Sequence, residues 1–253
     1  VEDSLFVTSA IPLWVRSVTS VSRRDTGADD YLRAMKEYQK LHTGYNLPAE
    51  RKIKAELFYY RANIFEKLFP WYTAVGFIMI VAIISFIIRG SEFNRFIMYL
   101  LSGLVAVGFL FHTLGLGIRW YISGHSPMSN GYESMLFISW VTVLAGFIFS
   151  RRSLLTLAAT SVLGGLTLMV AHLSFMDPEI TNLVPVLKSY WLTLHVSVIT
   201  GSYGFLALGA ILGLIVLVMM LFVNRKNVER IGSVIDELTV INYRTVTLGL
   251  YFL

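Results

Sequence analysis

Residues 189–224 read SYWLTLHVSVITGSYGFLALGAILGLIVLVMMLFVN, a run of 36 residues without a charged side chain. As one helix this run would be about 54 Å long, whereas the hydrocarbon core of a bilayer is about 30 Å thick. The run therefore predicts a transmembrane helix that projects beyond the lipid. If Arg225 and Lys226 anchor its inner end, the span reaches back to about Tyr203, and His195 stands about 12 Å outside the hydrocarbon boundary.

Four further charge-free runs precede this one, over residues 72–88, 96–118, 134–150 and 153–176. Each is long enough to cross a bilayer as a helix with its backbone polar groups satisfied internally. A last run, from Thr245 to Leu253, would rise only about 14 Å and is the start of a sixth span. The predicted fold class is all-α, a polytopic transmembrane helix bundle with five complete spans plus the start of a sixth.

The overall composition agrees with a membrane protein, because 55% of the residues are hydrophobic and 15% are charged. The chain has no cysteine, which excludes disulfides, thiolate metal sites and CxxC redox pairs. The formal net charge is +5, but the Lys and Arg residues are divided between loops and form no basic face. We therefore predict no nucleic-acid partner.

Residues 1–71 have soluble composition and form the first predicted domain, a small helical extracytoplasmic region. Helices are predicted from about Asp29 to His42 and from Pro48 to Phe69, on the spacing of their apolar residues. Residues 72–253 form the second predicted domain, the transmembrane module, truncated at its carboxyl end. The chain is thus expected to be an internal piece of a longer protein.

The loop charges predict the orientation of the bundle. Two cations, Arg119 and Lys188, lie in one alternating set of loops, and the other set carries eight. The positive-inside rule places that second set in the cytoplasm, so loops 119–133 and 175–188 and residues 1–71 are expected outside. Val228 to Ile241 is expected to form an amphipathic helix on the cytoplasmic surface. The eight cations are Arg89, Arg95, Arg151, Arg152, Arg225, Lys226, Arg230 and Arg244.

Histidine is the residue type that indicates chemistry at the outer side. His195 could be a haem iron ligand, since an imidazole beside apolar and aromatic side chains suits a flat macrocycle, or it could be a hydrogen-bonded structural residue. For His112 and His172 a structural role is the favoured interpretation, and His42 is expected to be a surface residue. His125 lies in the outer loop. Arg119 could pair with a haem propionate, or it could be an interfacial arginine beside Trp120.

Three segments resemble one known family. Residues 119–140, RWYISGHSPMSNGYESMLFISW, resemble the loop and following helix of the CcsA/ResC proteins of System II cytochrome c biogenesis, including their CcsB–CcsA fusions. Residues 190–205, YWLTLHVSVITGSYGF, look like the family segment with an external haem-ligating histidine. Residues 242–253, NYRTVTLGLYFL, look like the approach to its tryptophan-rich WWD segment, which this chain lacks.

This resemblance implies a multi-pass protein of the bacterial inner membrane that carries haem b to the outer face and presents it to the CXXCH motif of apocytochrome c. His195 matches the axial ligand that precedes the WWD segment, and Arg119, Trp120 and Trp191 would complete the cofactor site. Implied partners are apocytochrome c, a CcsB/ResB-type protein or fused region, and membrane lipid. The full-length parent could act as a cytochrome c synthase, while this fragment alone is expected to be inactive, and no catalytic residue is assigned.

Two other functions remain open at this level. A haem exporter or chaperone without ligation chemistry would share every feature above. A membrane electron-transfer subunit of the cytochrome b type would need histidine pairs on facing helices within the bilayer. The charge-free spans disfavour a transporter with a proton relay, which would need ionisable groups near the midplane.

Overall fold

The structure of the protein is a computed structural model. It describes residues 49–89, 95–151, 153–173, 176–180, 189–225 and 227–253, together with residues 12, 15, 19, 33, 34 and 36–38. Two compact units, Val1–Ile53 and Lys54–Leu253, divide the chain. His42 and most of the helix predicted from Asp29 lie outside the described residues, and the domain boundary predicted after residue 71 stays a prediction.

From residue 49 onwards, the described part of the chain forms seven helices and no strand. Five stretches in it are long and apolar enough to cross a membrane: Glu50–Ile87, Phe96–Ser123, Gly131–Ser150, Leu154–Ala171 and Tyr190–Leu221. The predicted all-α bundle with five complete spans is confirmed, and the protein is a multi-pass membrane protein. The helices are α1 (Glu50–Ala62), α2 (Ile64–Arg89), α3 (Arg95–Ser123), α4 (Gly131–Ser150), α5 (Leu154–Ala171), α6 (Tyr190–Leu221) and α7 (Val228–Phe252).

The helix predicted from Pro48 to Phe69 is divided in the structure at Asn63. This residue has a φ of 44°, in the left-handed region, so α1 ends at Ala62 and α2 begins at Ile64. Asparagine tolerates this conformation better than most residues with a side chain. Apolar spacing alone does not reveal such a break, because the pattern continues through it.

Helix α5 packs between α2 and α4 through small residues, which lets the helix backbones approach closely. Gly76 of α2 lies against the α5 backbone, where an added Cβ would be 2.9 Å from the Ala158 carbonyl oxygen. Between α4 and α5, the Ser139 hydroxyl donates to the Gly164 carbonyl oxygen at 2.9 Å. These contacts place α5 in the interior of the bundle.

Helix α7 differs from its prediction, since a surface helix and a separate short span were expected where one continuous helix is found. Gly249 lies against Leu206 and Gly209 against Val246, so α7 runs antiparallel to α6. Its buried residues Ile231, Leu238, Ile241, Thr245 and Gly249 recur every three to seven positions and form one continuous stripe. The apolar face of residues 228–241, which was expected to lie on the membrane surface, is instead buried mainly against α6.

Candidate functional site

Loop 124–130 connects α3 to α4 and is held by caps at both ends. Gly124 follows α3 with a φ of 76°, and its N–H donates to the Trp120 carbonyl oxygen at 2.9 Å, as in a left-handed helix C-cap. At the other end Asn130 is the N-cap of α4, and its side chain accepts from the Glu133 N–H at 2.8 Å. Glu133 lies in the first turn of α4. We call the end of the bundle that carries this loop the loop end.

Beside the loop lies a buried ion pair. Arg119 Nε donates to Glu133 Oε1 at 2.7 Å, and both side chains are removed from solvent. The second carboxylate oxygen of Glu133 accepts from the backbone N–H and from the hydroxyl of Ser129, each at 2.6 Å. Glu133 therefore joins the end of α3 to the loop and to the start of α4.

The other two guanidinium nitrogens of Arg119 bind further segments. Nη1 donates to the Tyr59 hydroxyl at 3.1 Å and to the Pro178 carbonyl oxygen at 2.9 Å, and Nη2 donates to the Glu179 carbonyl oxygen at 3.0 Å. The guanidinium carbon also lies 5.1 Å from the centre of the Tyr132 ring, within cation–π range. One buried cation thus links α1, α3, α4 and the segment after α5.

A cleft of about 610 Å³ opens at the loop end between α3, loop 124–130, α4 and the start of α6. Its volume lies within the range of small-molecule sites. The lining is mainly apolar and aromatic, with one imidazole and one thioether. The lining residues with rings or sulfur are Trp120, His125, Pro127, Met128, Phe137, Trp140 and Tyr190.

The wall of the cleft is fixed by contacts between helices. Trp140 Nε1 donates to the Thr113 hydroxyl at 2.9 Å, and the Trp140 ring stacks against Phe109 and Phe137 at centroid distances of 5.5 and 6.0 Å. Across the cleft, the Ser197 hydroxyl lies 2.8 Å from the sulfur of Met128, which joins α6 to the loop. The cleft is therefore built on packed side chains from α3, α4 and α6.

The sequence-predicted site residues fall into three places. Trp120 lines the cleft, whereas Arg119 lies in the buried ion pair. Trp191 and His195 lie one helical turn apart on α6, and both are exposed. Neither lines the cleft, because the α6 residues that do, Tyr190, Thr193, Leu194 and Ser197, occupy the neighbouring face of the helix.

A sequence model of the family described as "Cytochrome C assembly protein" matches residues 128–253. This range contains the last three residues of the loop, His195 and the α6–α7 pair. The chain belongs to the cytochrome c assembly family. The CcsA/ResC resemblance inferred from the sequence is confirmed.

Relatives with curated names support the same assignment. The protein NrfI of Wolinella succinogenes is 43% identical over 225 residues, which cover 88% of this chain and 24% of that protein. The cytochrome c biogenesis protein CcsA of Synechococcus sp. strain CC9902 is 43% identical over 122 residues, or 46% of this chain and 40% of that protein. CcsA of Chlamydomonas reinhardtii is 34% identical over 160 residues, 59% of this chain and 44% of that protein. The chain spans less than half the length of these relatives.

The other described histidines make local contacts. His112 is fully buried, with Nε2 at 3.1 Å from the Leu136 carbonyl oxygen and its ring packed on Phe65 at 5.5 Å. His172 bonds through Nδ1 to the Leu168 carbonyl oxygen at 2.8 Å. The structural roles that the sequence favours for these two residues stay predictions, and the buried Nδ1 of His112 has no hydrogen-bond partner among the described residues. His125 Nδ1 lies 3.0 Å from the Ser126 carbonyl oxygen while its side chain lines the cleft.

Sequence reasoning missed several parts of this arrangement. It did not pair Arg119 with Glu133, and it gave no role to Tyr59, Met128 or Tyr190. The Asn130 cap and the position of Glu133 were readable signals, since a carboxylate in a first helical turn near an outer-loop arginine is a plausible ion pair. The contact with Tyr59 had no such signal, because 60 residues separate it from Arg119.

Proposed function

We propose that this chain contributes to a membrane protein that carries haem b to the outer face of the bacterial inner membrane and presents it to apocytochrome c. The observation that carries the proposal is the exposed face of α6, where His195 and Trp191 lie together beside an aromatic cleft. Membership of the cytochrome c assembly family supports haem as the ligand. The loop end would then face outwards, in agreement with the loop charges.

The side chains at this end suit haem on chemical grounds. An axial ligand must be an accessible imidazole, and among the described residues no hydrogen bond or ion pair engages the His195 ring. Exposed indole rings offer flat apolar surface for a macrocycle, and Trp191 supplies one with 75% of its surface exposed. Haem iron takes one or two axial ligands from a protein, so a single accessible imidazole such as that of His195 is sufficient as a ligand.

We assign distinct roles to the predicted residues. His195 would hold the iron, and Trp191 would pack on the macrocycle from the same helix face. Trp120 of α3 would supply a second aromatic surface. It lines the cleft, which adjoins the neighbouring face of α6. Arg119 is buried and donates four hydrogen bonds, to Glu133, Tyr59 and the carbonyls at residues 178 and 179, so we propose that it positions the loop rather than binding a propionate.

The chemistry expected of the complete protein is largely positioning. Bound haem would supply the two vinyl groups to which the thiols of a CXXCH motif add. The protein chain has no cysteine, so both thiols would come from apocytochrome c. Holding both reactants in one geometry converts a multi-body encounter into a single bound complex. A CcsB/ResB-type region would complete the assembly.

The deciding experiment replaces His195 in the full-length protein with Gly, and records the absorption spectrum of the purified protein with and without imidazole. We expect His195→Gly to lose bound haem and added imidazole to restore it, because free imidazole can fill the space left by the side chain and ligate the iron. Leu214→Ala is the matched control, since Leu214 is an exposed residue of α6 about five helical turns from His195 and does not line the cleft. The control should retain haem.

Two results would separate the alternatives. An unchanged haem spectrum in His195→Gly would remove this residue from the site and refute the proposed ligation. Haem release to apocytochrome c without thioether formation by the intact protein would favour an exporter or chaperone.

A further inference from the structure

A second concave surface lies on the opposite side of α3 from the cleft. It is a groove of about 620 Å³ between α1, α2 and α3. Apart from Lys67, its lining is apolar, with no other charged residue among those that the structure describes there. We call it the α1–α3 groove, lined among others by Phe58, Ala62, Lys67, Trp71, Phe111 and Leu114.

The length of the groove matches one leaflet of a bilayer. Along α3 it extends from Val107 to Ile118, about 16 Å at the helical rise, and half of a hydrocarbon core is about 15 Å. Ile118 ends the charge-free run of α3, and Val107 lies near the middle of that run. The groove therefore runs from the headgroup level at the loop end to the midplane.

The inner wall of the groove is fixed and leaves depth for a ligand. Trp71 Nε1 donates to the Leu104 carbonyl oxygen at 3.0 Å, which holds the indole ring against α3. Gly108 faces that ring, and an added Cβ there would lie 3.0 Å from Trp71 Cδ1 and from Tyr72 Cε1. Phe111 and Leu114 line the groove and remain exposed, so its open side faces outwards from the bundle.

Cations lie at the headgroup end. Lys67 is exposed, and its ammonium group reaches towards the loop end and donates to the Ala62 carbonyl oxygen at 2.8 Å. Lys54 is exposed one helical turn from Phe58, on the same face of α1 as Phe58 and Ala62. Glu66, the acid beside Lys67, lines a different cavity together with Tyr59 and His172. The end of the groove is thus positively charged.

We propose that the α1–α3 groove binds one phospholipid with an anionic headgroup. One acyl chain lies along Phe111 and Leu114, and the phosphate accepts hydrogen bonds from Lys67, with Lys54 adding charge. An apolar groove of one-leaflet length that opens away from the bundle suits an acyl chain, and the two lysines favour a negative headgroup. This inference goes beyond the proposed haem function and does not depend on it.

The test uses the full-length protein purified from the membrane and exchanged into nanodiscs of phosphatidylcholine with or without phosphatidylglycerol. Native mass spectrometry then counts the lipid that stays bound after release from the disc. We expect one phosphatidylglycerol on the unmodified protein, and Lys67→Gln should lower its occupancy about five-fold, since one surface lysine adds about that factor to anionic-lipid binding. Leu114→Trp should abolish retention by filling the groove.

Matched variants keep the result interpretable. Leu110→Trp adds the same bulk at an exposed α3 position that does not line the groove, and Arg225→Gln removes a charge at the opposite end of the bundle. Both should retain phosphatidylglycerol as the unmodified protein does. Equal retention by Leu114→Trp and Leu110→Trp would overturn the site, and equal retention of phosphatidylcholine would overturn the headgroup preference. Loss of haem from Leu114→Trp with lipid retained would assign the groove to haem instead.

Discussion

The Nε atom of Arg119, near the carboxyl end of α3, donates to Glu133 Oε1, in the first turn of α4, over 2.7 Å. Neither side chain contacts solvent. Because the remaining nitrogens of Arg119 bind Tyr59 and the carbonyls of residues 178 and 179, this pair holds four segments together at the loop end. The aromatic cleft opens beside this ion pair. The shape of the cleft therefore depends on Arg119 and Glu133, although neither side chain lines it.

Removal of Glu133 should therefore destabilise the protein strongly. In Glu133→Ala, Arg119 remains buried without its counter-charge, which typically costs about 3–5 kcal/mol in the free energy of unfolding. Glu133→Gln should cost less, because the amide oxygen still accepts a hydrogen bond from Arg119. Denaturant unfolding of the purified protein in detergent, followed by tryptophan fluorescence, measures both values.

A surface acid provides the control for this measurement. Glu229 is exposed in the first turn of α7, and Glu229→Ala should change the free energy of unfolding by about 0.5 kcal/mol or less. Equal losses in Glu133→Ala and Glu229→Ala would show that the buried pair contributes nothing specific to the loop end.

The close packing of α2 on α5 leads to a second prediction. In Gly76→Ala the new methyl group would meet α5 atoms at 2.8 to 2.9 Å, two of them in the backbone, so the helices must separate. We expect a loss of about 1–3 kcal/mol in the free energy of unfolding, the usual cost of overpacking. The same detergent unfolding assay measures it.

Gly103 is the matched position for the glycine test. It lies in α3, and an added Cβ there meets nothing within 4 Å. Gly103→Ala should leave stability unchanged or raise it by up to about 1 kcal/mol, because alanine is the better helix former. A similar loss in both variants would mean that α2 and α5 do not pack as closely as the structure indicates.

Much of the fold could be predicted from the sequence, because transmembrane helices are specified by long runs without charge. The five spans and the N-cap of α4 follow from local residue types and spacing. The break at Asn63 and the continuity of α7 could not be read in this way. In both places apolar spacing is compatible with two arrangements, and contacts with distant residues such as Leu206 decide between them.

The sequence suggests residues for the candidate site, whose roles stay predictions, but it does not give their geometry. The length of the charge-free run, with its inner end anchored by Arg225 and Lys226, predicts that His195 lies near the outer end of α6. Its helix face was not predicted, and it lies beside the cleft, on the face next to Tyr190 and Ser197. The burial of Arg119 also depends on partners 14 to 60 residues away, which no local pattern indicates.

The orientation of the bundle gives a third prediction, which the absence of cysteine makes simple to test. Ser126→Cys places a thiol in loop 124–130, and Arg225→Cys places one between α6 and α7. The distribution of loop cations predicts the first outside and the second in the cytoplasm. A membrane-impermeant maleimide should label only Ser126→Cys in intact cells and both variants after permeabilisation.

The unmodified chain, without any thiol, is the internal control for labelling. Labelling of Arg225→Cys in intact cells, with Ser126→Cys protected, would reverse the topology and place His195 at the cytoplasmic end. The proposed presentation of haem at the outer face would then fail, whereas the contacts within the bundle would be unaffected.

The exposed position of Trp191 supports a last prediction, on haem affinity rather than stability. Trp191→Ala removes an indole that is 75% exposed, so the free energy of unfolding should change by no more than about 0.5 kcal/mol. Loss of an aromatic contact with the macrocycle should weaken haem binding about three- to ten-fold, measured by haem titration of the full-length protein. Tyr243→Ala, an equally exposed aromatic on α7, is the control and should bind haem normally. Because Trp191 and His195 share one face of α6, unchanged haem affinity in Trp191→Ala would mean that the macrocycle does not lie on that face.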